Sequence, residues 1–169
     1  MTHEEFEKAA HYWDNKEQAA MPEEALKQAV LKYIGENNTC ALATGTGDYV
    51  RCTPIEYSFH DGKFWMFSEG WRKFIGLEKN SHVCLAIYDK YDGFGNLRSL
   101  QVTGIATMVE PFSEEYNTHA AFKKIPLDAL KKLPSPMNLI CVTPTRIDAL
   151  FSDFKEDGYS VRQVLHRLS

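Results

Sequence analysis

The sequence has no excess of basic residues. Its 19 Lys and Arg stand against 23 Asp and Glu, a formal charge of -4. Proteins that coat nucleic acid usually read basic, so nucleic acid is not an expected partner. No uninterrupted apolar run approaches the roughly 20 residues of a spanning helix, so no membrane span is expected. Ten glycines and seven prolines are too scattered for collagen, and no low-complexity tract or internal repeat is visible. Cys40, Cys52, Cys84 and Cys141 lack the tight spacing of a zinc site or a CxxC redox pair. They are expected to be reduced core residues, with no metal site. Met1 is followed by Thr2-His3-Glu4-Glu5, not by a basic segment with an apolar stretch behind it, and a cytoplasmic protein is expected.

What is present suits an ordinary globular domain. The chain has 169 residues, 44% hydrophobic and 25% charged, enough for one domain with a real core. Aromatic residues reach 12%, which leaves room for a slot that stacks on a flat ligand beside ordinary core packing.

Local patterns predict a helical segment over 1–37, a β-rich body over 38–152 and a C-terminal helix over 153–169. Thr2 and Glu5 have capping-box spacing, and Phe6, Ala10 and Trp13 recur at helical intervals. Pro22 opens a second helix with Leu26, Val30, Tyr33 and Ile34 on its apolar face, stopped by Gly35 and Asn37-Asn38. From Thr39 the period becomes two. Strands are expected over 39–44, 49–60, 63–68, 82–88 and 97–110, then 138–143 and 145–152 on either side of Pro144. Pro54 implies an edge or a bulge, and Asp61-Gly62 signals a tight hairpin. Short helices are expected over 71–79, with Phe74, Ile75 and Leu77 inward, and over 113–122 and 125–133. Ser160 is expected to cap a last helix bearing Val161, Val164, Leu165 and Leu168. Hairpin-spaced strands interrupted by helices point to an antiparallel barrel with helical additions.

Chemistry concentrates between Tyr49 and Lys73. Arg51 lies in a strand, the hairpin returns through Phe64-Trp65-Met66-Phe67-Ser68, and Arg72-Lys73 opens a helix. Two guanidinium groups and an ammonium near a helix start suit a phosphate monoester, with Thr53 and Ser68 hydroxyls for the remaining oxygens. The same basic pair also fits a plain solvated face. Trp65, Phe67, Trp71 and Phe74 crowd this stretch as core or as the walls of a slot. Glu56, Glu69, His60 and His82 are nearby titratable groups, and none stands out as a catalytic acid or base.

The order of elements resembles the pyridoxamine 5'-phosphate oxidase-like family, whose fold is the FMN-binding split barrel. The resemblance rests on Cys40-Ala41-Leu42-Ala43-Thr44, Arg51-Cys52-Thr53-Pro54, Phe64 to Ser68, Arg72-Lys73, Asn80 to Leu85 and Leu100 to Ala106. It covers 38–110 well and 138–151 more loosely. It is closer to the nitroimidazole-resistance and general-stress flavoproteins than to the true oxidase. What it implies is a mainly β, six- to seven-stranded antiparallel split barrel of Greek-key type with flanking helices, and FMN bound at a homodimer interface. Arg51, Arg72 and Lys73 match the phosphate-binding positions. Cys52, Thr53 and Pro54 match the strand beside the flavin ring, and Phe67 and Ser68 match the pair that ends the next strand. Ser99 and Gln101 match polar positions that reach the flavin from the partner subunit, and Phe151 loosely matches an aromatic that closes the ring pocket. The implied activity is an oxidoreductase passing hydride from NAD(P)H to a small acceptor. The alternatives are a binding protein for flavin, haem or a deazaflavin, with His119 or His166 as axial ligand, or a pyridoxamine 5'-phosphate oxidase proper. Against the last, Glu56 stands where the oxidases carry a substrate-binding lysine. Arg146, Arg162, His166 and Arg167 do not reproduce their C-terminal arginine-histidine cluster.

Overall fold

The computed structural model describes residues 1–15 and 19–168. Helix α1 covers His3–Asn15. Its capping box closes in both directions: Thr2 N donates to Glu5 Oε2 at 2.7 Å, and Glu5 N donates to Thr2 Oγ1 at 3.2 Å. Phe6 is exposed, and the side chains of Ala10 and Trp13, expected beside it, lie outside the described residues. Helix α2, Glu23–Glu36, takes Pro22 as its N-cap and buries Leu26, Val30, Tyr33 and Ile34. Gly35 does not stop it. The end comes at Asn37, whose Nδ2 donates to the Tyr33 carbonyl at 2.9 Å and so satisfies a terminal acceptor.

Eight strands follow: β1 Thr39–Thr46, β2 Tyr49–Glu56, β3 Ser58–His60, β4 Lys63–Ser68, β5 His82–Tyr88, β6 Arg98–Val109, β7 Asn138–Phe151 and β8 Arg162–Leu165. Three short helices, α3 Lys73–Leu77, α4 Glu114–Phe122 and α5 Leu127–Lys131, interrupt them. Hydrogen bonding runs in the order β2-β1-β5-β6-β7-β4-β3, with β8 pairing off β7. Each pairing is antiparallel. This is the expected split barrel with flanking helices.

Three details differ from the sequence reading, and the edge position expected of Pro54 is met. The expected strand 49–60 divides at the buried Tyr57, whose N–H donates to the Asn38 carbonyl. β2 pairs with β1 and β3 with β4, so the chain crosses here between the two halves of the barrel. Pro54 falls on β2, an edge strand, where a missing donor costs no ladder bond. The strands divided at Pro144 are one strand, because Thr145 bulges out and lets the register slip between Thr103 and Gly104. The C-terminal helix is instead β8. Its buried residues, Gln163 and Leu165, alternate with exposed ones, a period of two that pairs with Ile147 to Leu150.

The hairpin signal is realised: Asp61 and Gly62 take φ values of +52° and +71° between β3 and β4, the double positive φ of a type I' turn. β4 is buried on both faces. Phe64 and Met66 enter the barrel core with Leu42, Leu85 and Val102. Trp65 joins a second cluster with Leu139, Tyr116, Ala120 and Leu130 under α4 and α5, and Phe67 packs against it. Cys40 and Cys141 are buried and Cys84 half-buried, but Cys52 is exposed on edge strand β2, contrary to its expected core position; all four are free thiols. Among the described residues no helix is long and apolar enough to cross a membrane.

Candidate functional site

Where β4 ends, the chain makes a strained turn. Gly70 has φ +126° and Trp71 φ +86°, a region costly for a residue with a Cβ. Ser68 Oγ accepts from Gly70 N at 3.2 Å, and Lys73 Nζ donates to the Gly70 carbonyl at 2.7 Å. Tyr49 Oη ties the Arg72 carbonyl to β2 at 2.9 Å. These bonds fold the turn back against β2, and α3 then lies on β1. A Cβ added to Gly76 would meet Gly45 N at 3.0 Å and Thr44 Cβ at 3.2 Å, so only glycine permits that approach. α3 is one and a half turns long, shorter than the expected 71–79, so the dipole contribution expected from it is small. Its buried residues are Lys73 and Gly76, whereas Ile75, expected inward, is exposed.

The turn, β2 and the end of β4 line an open cavity of about 500 Å³. Thr53, Pro54 and Ile55 form the β2 wall, and Phe67 and Ser68 the β4 wall. Glu69, Gly70 and Trp71 line the rim, and Lys73 reaches in from α3. Lys73 is only 7% exposed. Burial, and then the charge of Arg51, hold its ammonium below the usual lysine range. Thr53 Oγ1 and Thr44 Oγ1 are buried without a hydrogen-bond partner.

Five of the ten expected site residues therefore meet at this cavity: Thr53, Pro54, Phe67, Ser68 and Lys73. Arg51 stands close enough to act on Lys73 electrostatically. Arg72 is exposed beside the cavity and does not line it. Cys52 is paired with Ala43 and alternates away from Thr53. Ser99 and Gln101 are remote within one chain. Pro54, Ala41, Ala86 and Gln101 occupy one row across four strands, which places Gln101 about 14 Å from Pro54 at ordinary strand spacing. Phe151 is 1% exposed and packs on Tyr33 and Phe154 in the core, away from the cavity.

Ile55, Glu69 and Gly70 were missed as wall residues. The Glu69-Gly70 step does carry a turn signal, but nothing local tells which side of a turn faces a cavity. Of the other titratable groups, Glu56 is engaged by Lys123 Nζ at 2.5 Å, His60 by His119 and His82 by Asn80. Among the described residues no three His, Cys, Asp or Glu side chains are grouped to hold a metal. His119, named above as an axial ligand, is buried with Nδ1 against His60; His166 is exposed after β8.

Residues 26–151 match the family model described as pyridoxamine 5'-phosphate oxidase. The chain belongs to this family. No protein of curated function matches the sequence. Solved structures of similar fold include the general stress protein 26 of Bacillus anthracis, at 20% identity, covering 73% of this chain and 92% of that one with a TM-score of 0.56. A FAD-binding protein of Mesorhizobium loti is 14% identical, covering 72% and 90%, with a TM-score of 0.58. The haem storage protein of Vibrio cholerae is 19% identical, covering 69% and 88%, with a TM-score of 0.58. At these identities the likeness is one of fold, and the fold serves flavin and haem proteins alike.

The residues at the cavity can be tested against a flavin directly. A flavin phosphate needs cations and hydroxyl or N–H donors, and its ring needs a flat wall. Lys73, Arg51 and Ser68 supply the first set. Phe67, Pro54 and Ile55 supply the second. Thr53 Oγ1 is a buried donor with no acceptor among the described residues. The set fits.

Proposed function

We propose that the cavity between β2, β4 and the 68–71 turn binds FMN, and that the protein is an oxidoreductase passing hydride from NAD(P)H to a small acceptor. The observation that carries this reading is Lys73. It is a buried ammonium with one hydrogen-bonding carbonyl, that of Gly70, and no ion-pair partner within 4.0 Å among the described residues. A buried cation without a counter-charge is costly, and an entering phosphate supplies that charge. Arg51 shares the anion, and Ser68 and Thr53 donate to it or to the ring edge. When bound, FMN supplies the hydride and single-electron chemistry. The chain's own part is to bind, orient and exclude water: Phe67, Pro54 and Ile55 form the apolar wall, and the exposed Trp71 stands at the mouth.

Two chains complete the site in this reading. Ala41, Ala43, Ala86, Cys52 and Cys84 share the outer face of the β2-β1-β5 layer, and such small side chains allow a second copy to approach closely. Ser99 and Gln101 of that copy then serve the flavin. The four free thiols suit a reducing compartment such as the cytoplasm. Glu56 stands where the oxidases carry a substrate-binding lysine and is already paired with Lys123, so it offers a substrate phosphate no grip, and oxidation of a phosphorylated pyridoxamine is not the favoured activity.

The test is an absorption spectrum of the purified protein, followed by FMN titration of the wild type and Lys73→Ala. A flavin spectrum and a loss of about tenfold to a hundredfold in affinity on removing the charge-assisted bond are expected. Unchanged affinity in Lys73→Ala refutes the phosphate assignment. A Soret band in place of the flavin bands would put a haem in its place, with the exposed His166 as the first ligand to substitute.

A further inference from the structure

Helix α4 lies over the outer side of β4, and the imidazole it buries there, His119, is 1% exposed. Nδ1 of His119 is 2.9 Å from Nε2 of His60, and Nδ1 of His60 is 2.9 Å from Oδ2 of Asp61. The His60 and Trp65 rings are parallel within 2° at 4.9 Å. His119 lies beside His60 against the same Trp65 ring, 5.2 Å from His60 and 5.3 Å from Trp65. Phe122 closes the box against His60 at 4.3 Å.

The bond between the two imidazoles needs one N–H donor and one lone pair. It can form when the pair is neutral or carries one positive charge. With both rings protonated, two N–H groups face each other at hydrogen-bond distance, and attraction becomes repulsion. The groups facing His119 from the elements around it are His60 on β3, Lys123 on its own helix and Glu56 on β2. Burial first, then His60 and Lys123, hold His119 down to about 4, and only Glu56 opposes them. Asp61 and Lys63 lie on the far side of the stack, against His60 and Trp65.

His119 also touches one wall of the cavity, and the residue that follows its helix is tied beside the other. Its ring is 5.1 Å from that of Phe67, a β4 wall residue. Lys123, four residues on, binds Glu56, and the three residues before Glu56 form the β2 wall. We propose that His119 is a positioning residue for the cavity: unprotonated, it docks α4 on β4 and so holds Phe67 and the end of β2; taking up a proton opposite a protonated His60, it releases the helix. The effect on ligand binding rests on the flavin reading above.

Hydrogen exchange on the full chain tests this at pH 7.5 and 5.5, corrected for intrinsic rates, in the wild type and in His119→Gln. Gln keeps an amide for His60 Nε2 but does not titrate. The α4 amides of Ala120 to Phe122 should lose about tenfold more protection in the wild type than in the variant, because the released imidazole binds its proton near the ordinary histidine value. Their protection should also stay below that of Leu85 in β5, as release of one helix requires. Equal losses in the two proteins, or α4 protection equal to that of Leu85, overturn the proposal.

His60→Gln provides a second arm should His119→Gln fail to fold. Without its positive neighbour, the His119 resonance should titrate at higher pH than in the wild type; an unmoved midpoint overturns the proposal. Saturating FMN should raise α4 protection in the wild type, since coupling between sites is reciprocal. Bound FMN without that rise refutes the link to the cavity. If FMN does not bind at any pH, the flavin reading alone has failed. The ring-proton shifts of Phe67 then decide the positioning role, upholding it if they follow the His119 titration and refuting it if they do not.

Discussion

Acid should cost this protein stability in a window set by His119. The buried imidazole is held down to about 4 from an ordinary 6.5. Its folded value is depressed, so the unfolded chain binds the proton first and stability falls as pH falls. The full contribution is present above about pH 6.5 and is lost progressively down to about pH 4. A shift of about 2.5 units corresponds to roughly 3 kcal/mol in all, with about 1 kcal/mol gone by pH 5.5 and about 2.5 by pH 4.5. That is a large part of a typical domain's stability. The assay is urea denaturation at pH 7.5, 6.5, 5.5 and 4.5, comparing the wild type with His119→Gln. Losing the stack on Trp65 lowers the variant's stability by a similar amount at every pH. The two proteins share every other titratable group, so the difference between the two curves isolates the imidazole. The difference should narrow by about 2 kcal/mol or more between pH 7.5 and 4.5. Parallel curves would show that His119 carries its proton as easily folded as unfolded, and the burial argument would fail.

Two substitutions check other parts of the structure. Thr53→Val removes a buried hydroxyl that has no partner, so thermal denaturation without ligand should show no loss, or a gain of up to about 1 kcal/mol; FMN affinity should fall if Oγ1 serves the ligand. Gly104→Ala places a Cβ 2.7 Å from both the Thr143 carbonyl oxygen and Val142 Cγ1. It should cost about 1–3 kcal/mol in urea denaturation, and an unchanged midpoint would mean that the bulge beside it yields freely.

Short-range signals carried much of the fold. The capping box at Thr2 and Glu5, the Asp61-Gly62 turn and the Ser113 cap are each satisfied within a few residues, so local chemistry suffices to read them. β8 failed for the opposite reason. Val161, Val164, Leu165 and Leu168 sit at helical spacing, and only the open edge of β7 makes the Gln163 and Leu165 alternation decisive. Gln163 shows the mechanism: its Nε2 donates to the Ala19 carbonyl and its Oε1 accepts from Met21 N. A partner more than 140 residues away cannot be seen in a local window. The surroundings of His119 escape a local window for a similar reason: only the fold brings His60 on β3 to within 2.9 Å of it.

The candidate site was legible in its chemistry and less so in its geometry. Thr53, Ser68 and Lys73 converge, with Arg51 beside them, because the 68–71 turn folds back against β2, and the turn residues mark that place in the sequence. Ser99 and Gln101 do not converge with them. A row from Pro54 through Ala41 and Ala86 to Gln101 spans three strand intervals, and no side-chain rotation closes about 14 Å. The sheet lies between the two groups as a fixed spacer. In the dimeric reading proposed above, the second group comes from another molecule, and the site count per protein then follows the assembly. The stoichiometry of FMN binding is therefore itself informative. A monomer that binds flavin at full affinity would remove Ser99 and Gln101 from the site while leaving the Lys73 cavity intact.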